Sequence, residues 1–323
     1  MNNLTLSGGQ ANKIFALSDA TSGEIDLLVS SSGTNNLTWT GDGSQNFWDT
    51  DNSLNWYDNY LHVPLQPFDN GDTVTFDDSY FNSGSESPAV NIENGPVAPA
   101  AVTVITTNTY TFAGSKITGG GTTLTKNGTG TLVLATVAND YGGGTVIANG
   151  SLQIGDGSTG GTAIGGGPVT NNAALVFYQP DNSSVIGNIA GTGSLYQQGA
   201  NSSATLTLLG NNSYSGLTTV DTGSLQVGNG GLTGTLGTNA VLLTNASTLV
   251  INRAGTLTLA NGISGNGALT FAGGGTVTLA GVNIYSNNTT IANGTVKLGS
   301  NNAIASGPAT TGWLILDLSL IHI

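Results

Sequence analysis

Residues 138–155, ANDYGGGTVIANGSLQIG, decide the fold, because the chain repeats them as NNSYSGLTTVDTGSLQVG at 211–228 and VNIYSNNTTIANGTVKLG at 282–299. From 139 to 212 and from 212 to 283 the steps are 73 and 71 residues. The four best columns keep that register, and they are Asn139, Asn212 and Asn283; Tyr141, Tyr214 and Tyr285; Gly150, Gly223 and Gly294; and Leu152, Leu225 and Val296. Such long-period self-similarity is typical of solenoid proteins.

Each repeat contains segments in which apolar and polar residues alternate. One precedes each Asn-x-Tyr block, at 131–134, 205–208 and 276–279. Alternation with a period of two predicts strands that bury one face. Asn149-Gly150 and Asn293-Gly294 predict tight turns, because both residue types tolerate positive φ. A unit near 72 residues then holds about three coils of roughly 20–25 residues each, a coil being one circuit of the backbone around the solenoid axis.

The composition favours an all-β chain and excludes several functions. Gly supplies 50 of 323 residues, charged residues are only 7%, and the net charge is −13. So few basic residues give no electrostatic surface for nucleic acid or an anionic membrane. The chain has no Cys, which excludes disulfides and thiolate metal sites. It also has no run of 18 apolar residues that would predict a membrane-spanning helix.

The segments LTKNGTGTLVL from Leu124 and NDYGGGTVIANGSLQIGDG from Asn139 resemble the passenger-associated transport repeat, also called the autotransporter-associated β-strand repeat. The second copy departs from that pattern at Gln197-Gln198-Gly199, and the third at Asn287-Asn288. The resemblance implies a right-handed, single-stranded parallel β-helix of the pectin lyase-like kind. It also implies a passenger exported through an outer-membrane β-barrel translocator of a Gram-negative-type bacterium.

Four sections are predicted along the chain. Residues 1–38 are interpreted as the tail of a preceding β-helix unit that ends in a strand at 22–29, and the chain as an internal fragment. Residues 39–95 form an aromatic, acidic, loop-rich section with strands at 37–40 and 73–76. Residues 96–311 are the β-helical repeat region, and residues 312–323 are a non-repeat tail that looks like foreign read-through sequence.

The aromatic section contains the candidate ligand-binding residues. Trp48, Trp56 and Tyr57 lie beside Asp49, Asp51 and Asp58, and flat rings with carboxylates suit sugar faces and hydroxyls. The alternative, which we favour, is a satellite aromatic cluster that seals the end of the β-helix under its loops.

Two acidic segments have oxygen ligands at the short spacing that Ca²⁺ accepts. They are Asp49-Thr50-Asp51-Asn52 and Asp69-Asn70-Gly71-Asp72. Neither completes a calcium loop, so we interpret them as tight turns and predict no metal and no cofactor.

An enzyme is the weakest interpretation. Parallel β-helices also include polysaccharide lyases and hydrolases, which need clustered basic residues or paired carboxylates. After Glu93 the acids are isolated in sequence, at Asp140, Asp156, Asp181, Asp221 and Asp317, and the only histidines are His62 and His322.

The sequence therefore predicts a non-catalytic, secreted or surface-displayed passenger stalk that supports export and adhesion. The alternative is an adhesin module whose 39–95 aromatic loops bind a glycan or a host surface. A β-helical lyase or hydrolase is the less favoured alternative.

Overall fold

The backbone winds into a parallel β-solenoid of about ten coils. The computed structural model describes residues 13–18, 26–31, 34–50, 52–79, 89–305 and 314–316. Within these residues all regular structure is strand, and no helix occurs. The predicted all-β parallel solenoid is confirmed.

The strands are short, as expected where each coil has to bend several times. Those of the N-terminal part are β1 (Lys13–Ser18), β2 (Asp26–Ser31), β3 (Asn36–Trp39), β4 (Phe47–Trp48), β5 (Trp56–Asp58), β6 (Val63–Gln66), β7 (Thr73–Asp77), β8 (Ala89–Ile92), β9 (Ala101–Ile105) and β10 (Thr109–Gly114). Those of the first repeat are β11 (Thr123–Asn127), β12 (Thr131–Thr136), β13 (Gly144–Ile147), β14 (Ser151–Ile154), β15 (Val169–Asn171), β16 (Ala174–Phe177), β17 (Ser183–Val185) and β18 (Ile189–Ala190). The remainder are β19 (Ser194–Gln197), β20 (Thr205–Leu208), β21 (Thr218–Val220), β22 (Ser224–Val227), β23 (Val241–Leu243), β24 (Thr248–Ile251), β25 (Thr256–Leu259), β26 (Ile263–Gly265), β27 (Ala268–Phe271), β28 (Thr276–Leu279), β29 (Thr289–Ile291), β30 (Thr295–Leu298) and β31 (Leu314–Leu316).

Three faces run along the solenoid. The first face is the nine-stranded sheet β18-β15-β13-β11-β9-β7-β3-β5-β6. The second face is the ten-stranded sheet β26-β23-β21-β19-β16-β14-β12-β10-β8-β4, and the third is the seven-stranded sheet β17-β20-β22-β24-β27-β29-β31. The three-stranded sheet β25-β28-β30 also belongs to the first face. In chain order β25 comes after a strand of the third face and before a strand of the second face, and β18 of the first face has the same position.

Inward side chains stack in columns from coil to coil. On the second face, Leu132 pairs with Leu152, Leu152 with Leu175, and Leu175 with Leu195. All four are fully buried. Such columns merge into one continuous hydrophobic core, which stabilises a stack of coils that no single coil could stabilise alone.

One repeat is three coils plus one face. Leu124 pairs with Thr145, Thr145 with Val169, and Val169 with Ile189, which completes three coils on the first face. Leu195, the counterpart of Leu124 in the next repeat, follows six residues later on the second face. Corresponding residues of successive repeats therefore lie on different faces.

The N-terminal part departs from parallel pairing. β5 runs antiparallel to β3, and β6 runs antiparallel to β5, so a hairpin covers that edge of the first face. Pro64 in β6 has no N–H to offer a further strand, which protects the outermost edge. Strands β1 and β2 form a separate antiparallel pair.

The four-section division of the chain stays a prediction. The strand expected at 22–29 is described only from Asp26 onward, and residues 22–25 lie outside the described residues. Of the section 312–323, only β31 is described, and it pairs in parallel with β29.

Candidate functional site

The asparagine of each Asn-x-Tyr segment joins three successive coils. Asn139 Oδ1 accepts a hydrogen bond from Ile117 N in the preceding coil, at 2.8 Å. Its Nδ2 donates to Ala163 O in the following coil, also at 2.8 Å. The side chain is buried, so both contacts form away from bulk water, where leaving an amide unpaired is costly.

The later repeats make the same two contacts. Asn212 accepts from Ile189 N at 2.8 Å and donates to Thr235 O at 2.7 Å. Asn283 accepts from Ile263 N at 2.9 Å and donates to Ala303 O. We call these three side chains, Asn139, Asn212 and Asn283, the asparagine bridges.

The tyrosine of each segment is a core residue with one polar contact. The hydroxyl oxygens of Tyr141 and Thr145 lie 2.8 Å apart, and those of Tyr214 and Thr218 also lie 2.8 Å apart. The third pair, Tyr285 and Thr289, is 2.5 Å apart. Burial raises the pKa of all three tyrosines. These phenols therefore stay neutral and anchor the segment to the strand that follows.

The glycine and apolar columns also have structural roles. Gly150, Gly223 and Gly294 have φ of +71°, +77° and +81°, which L side chains rarely adopt. At Gly150 a Cβ would lie 2.3 Å from Gly130 O of the preceding coil. Leu152 and Leu225 are fully buried, whereas Val296 is half-buried.

Lys126 is a fully buried cation in the first repeat. Its Nζ donates to the carbonyl oxygens of Asn127 at 2.7 Å, Gly128 at 2.8 Å and Asn149 at 3.3 Å. Burial lowers the pKa of this lysine to about 8, although the negative charge of Asp78 opposes the change. The amine thus ties the tight turn after β11 to the one after β13.

Trp48 and Trp56 lie in the core, not on a binding surface. Both are fully buried, and their ring centroids are 5.7 Å apart at an interplanar angle of 70°. Trp39, Phe68 and Phe76 pack against them at centroid distances of 4.9–6.0 Å. Neither indole has surface that a sugar could reach. The cluster packs at the first coils, as in the alternative interpretation.

Tyr57 and its neighbours are the accessible part of that section. Tyr57 is half-exposed, with its hydroxyl 3.4 Å from His62 Nδ1. Tyr60 is 85% exposed and Leu65 is 62% exposed. Asp58 Oδ1 accepts from Tyr60 N at 2.8 Å and Leu61 N at 3.0 Å, which fixes the tip of the β5–β6 hairpin. Sequence analysis did not identify this tip, because the presence of aromatic residues does not show which rings are buried and which are exposed.

The acidic segments act as tight-turn formers. Asp49 Oδ1 accepts from Ser53 N at 2.8 Å, and Asp72 accepts from the backbone N–H groups of Asn35 and Asp69 at 2.6 and 2.8 Å. Asp51 lies outside the described residues. Among the residues that the structure describes, no group of three His, Cys, Asp or Glu side chains could hold a metal ion.

The carboxylates of the isolated acids in the repeat region each form hydrogen bonds or an ion pair with nearby groups of the chain. Asp140 forms an ion pair with Lys116 at 2.5 Å. Asp156 accepts from Ser158 N and Thr159 N, Asp181 from Gly161 N, and Asp221 from Thr244 Oγ1.

In the described part of the chain, no helix is long and apolar enough to cross a membrane.

Comparison with known proteins agrees with the repeat geometry. The family model Passenger-associated-transport-repeat matches residues 124–154, 200–227 and 269–298, each of which contains one asparagine bridge. Three segments of the chain thus match the passenger-associated transport repeat. The resemblance seen in the motifs is thereby confirmed.

The chain is also similar to a curated protein. The adhesin BmaC autotransporter of Brucella suis biovar 1 (strain 1330) is 31% identical over 224 residues. The match covers 60% of this chain and 6% of that protein, so the chain spans only a small part of the relative's length. No solved structure matches the chain.

Proposed function

We propose that this chain is a rigid, non-catalytic stalk within the passenger of an autotransporter, secreted or displayed on the cell surface. The observation that carries the proposal is the unbroken stack of coils that the three passenger-associated transport repeats build, with a continuous core and asparagine bridges between coils. A stack held by nearest-neighbour contacts extends by adding repeats, and it keeps whatever it carries at a distance from its base. An outer-membrane β-barrel is the partner that such a passenger needs for export.

The absence of catalysis is part of this proposal. Its support is that the described carboxylates of the repeat region are engaged separately: Asp156 in a tight turn, Asp181 and Asp221 by neighbouring coils, and Asp140 in an ion pair. They do not pair in the way that glycoside cleavage needs. Release of unsaturated or shortened products from pectin or alginate by the purified chain would contradict it.

Surface display tests the stalk. Intact bacteria that produce the natural full-length protein should bind antibodies raised against this chain, and added protease should remove that signal. A signal that appears only after the cells are lysed would overturn the proposal. Small-angle scattering of the purified chain gives a second test, because the stalk requires an elongated particle.

Adhesion by the β5–β6 hairpin tip is a second candidate function. Its support is the exposure of Tyr60 and Leu65 on a tip that Asp58 fixes, with His62 and Leu65 at φ of +57° and +58°. Non-glycine residues held at positive φ occur preferentially at functional sites, and exposed tyrosines supply large contact areas at low entropic cost. The relative is named an adhesin.

Binding to glycan arrays and host cells tests this second candidate. The double variant Tyr57→Ala/Tyr60→Ala should lose binding, whereas Tyr178→Ala, at a 37% exposed tyrosine of the repeat region, should keep it. Binding that survives the double variant would remove the hairpin from consideration and leave the stalk proposal untouched.

A further inference from the structure

Each asparagine bridge lies in a sector of the solenoid where one face has no strands. The third face begins only at β17, which follows Asn139 in the chain. The first face is interrupted between β18 and β25, and Asn212 lies in that interval. Along the described residues, the second face ends at β26, and Asn283 comes after it. In these sectors the coil of each bridge has no paired strand, and single backbone hydrogen bonds, such as Ser213 N to Ile189 O at 2.8 Å, lie beside the bridge.

A side-chain amide has the same donor and acceptor as a peptide group. In a parallel sheet, an interior strand forms hydrogen bonds with both neighbouring strands, and it donates to and accepts from each of them. The asparagine bridges likewise join both neighbours, since Oδ1 accepts from the preceding coil and Nδ2 donates to the following one. The side chain thus adds hydrogen bonds to both neighbouring coils where no strands pair.

Rotation of the repeat explains why every repeat needs its own bridge. Because a repeat is three coils plus one face, the strandless sector moves to a new face each time. Over the three repeats each face contains one such sector. None of the three faces is therefore a continuous ladder along the described coils.

We propose that the asparagine bridges are latches that couple each coil to both neighbours across the strandless sectors, and so set the sites at which the stalk opens first. The latch deepens the proposed stalk role, since a rod that carries a load fails where adjacent coils separate most easily. Loss of one latch opens one sector and leaves the coils at the other two latches in place.

Hydrogen exchange measured by mass spectrometry on the full chain tests the latch at Asn212. Asn212→Ala removes both contacts, so exchange should rise about tenfold at Ile189 in the preceding coil and in the peptide covering 233–238 in the following coil. Asn212→Asp keeps the acceptor for Ile189 N but loses the donor to Thr235 O. It should therefore speed exchange only in 233–238.

The exposed neighbour Asn211 supplies matched controls. Asn211→Ala and Asn211→Asp make the same changes of volume and charge one residue away, and they should leave both neighbouring coils protected as in the natural chain. The backbone contact of Asn212 N with Thr235 Oγ1, at 2.6 Å, remains in all four variants. Differences therefore report the side chain alone.

Two outcomes would overturn the latch. One is faster exchange confined to the coil of residue 212 itself, and the other is equal effects of Asn212→Ala and Asn212→Asp on both sides. If a variant failed to fold, Asn283→Ala would give the same readout at Ile263. Failure of the latch would leave surface display unaffected, and failure of surface display would leave the exchange pattern unaffected, so the two proposals can fail separately.

Discussion

At the scale of single residues, one buried position shows how the repeats tolerate change. Lys126 in the first repeat corresponds to Gln197 in the second and Phe271 in the third, and all three side chains are buried. The lysine satisfies its amine with three backbone carbonyls. A phenylalanine at the same position has no polar group to satisfy. This buried position therefore accepts a long side chain whose polar group forms hydrogen bonds, as in Lys126, or one that has no polar group, as in Phe271.

Lys126 makes a prediction about pH. Burial lowers its pKa to about 8 in the folded chain, from 10.5. Between these two values the unfolded chain binds a proton that the folded chain has released, so this lysine should make the free energy of unfolding rise with pH until the tyrosines of the unfolded chain begin to ionise, at about pH 9.5. Lys126→Met should abolish the rise, whereas Lys297→Met, at an exposed lysine, should keep it. Urea unfolding measured from about pH 7.5 to about pH 9.5, below the range in which unfolded tyrosines ionise, checks this, and an unchanged profile in Lys126→Met would contradict it.

At the scale of strands, the sequence predicts most of what the structure contains. The alternating segments at 131–134, 205–208 and 276–279 are strands, and the predicted inward leucines are buried. The asparagine contacts could not be predicted, because their partners are 20 to 24 residues away in neighbouring coils. The burial of Trp48 and Trp56 agrees with the favoured aromatic-cluster interpretation, but the residue types alone left the sugar-binding alternative open, since flat rings suit a core and a sugar face equally well.

A pair of neighbours on β22 tests the inward and outward assignment. Leu225 is fully buried, and Gln226 is half-exposed with its amide donating to Gly228 O at 2.8 Å. Leu225→Asp buries an unpaired charge and should cost about 3 kcal/mol or more. Gln226→Asp adds the same charge at an outward position and should cost about 1 kcal/mol. Thermal unfolding followed by circular dichroism separates them, and equal losses of Tm would refute the assignment.

At the scale of the whole molecule, the repeat and the coil are out of phase. About ten coils at ~4.8 Å each give a rod of roughly 48 Å. Any surface feature encoded once per repeat moves one face round the rod at each repetition. The stalk therefore presents its repeated features in all directions around its axis. This property could not be predicted from the 73- and 71-residue steps alone, because it depends on the actual length of three coils.

The rotation can be measured with spin labels, because the chain has no cysteine and each introduced cysteine is unique. Gln153 and Thr219 lie three coils apart on the second face, through the pairs with Val176 and Tyr196. Their backbones are thus separated by about 14 Å. Gln226, the repeat counterpart of Gln153, lies in β22 on the third face. Dipolar spectroscopy should give a longer distance for Gln153→Cys/Gln226→Cys than for Gln153→Cys/Thr219→Cys. Equal distances would mean that the repeat closes after three whole coils, and the strandless sectors would then align along one side of the rod.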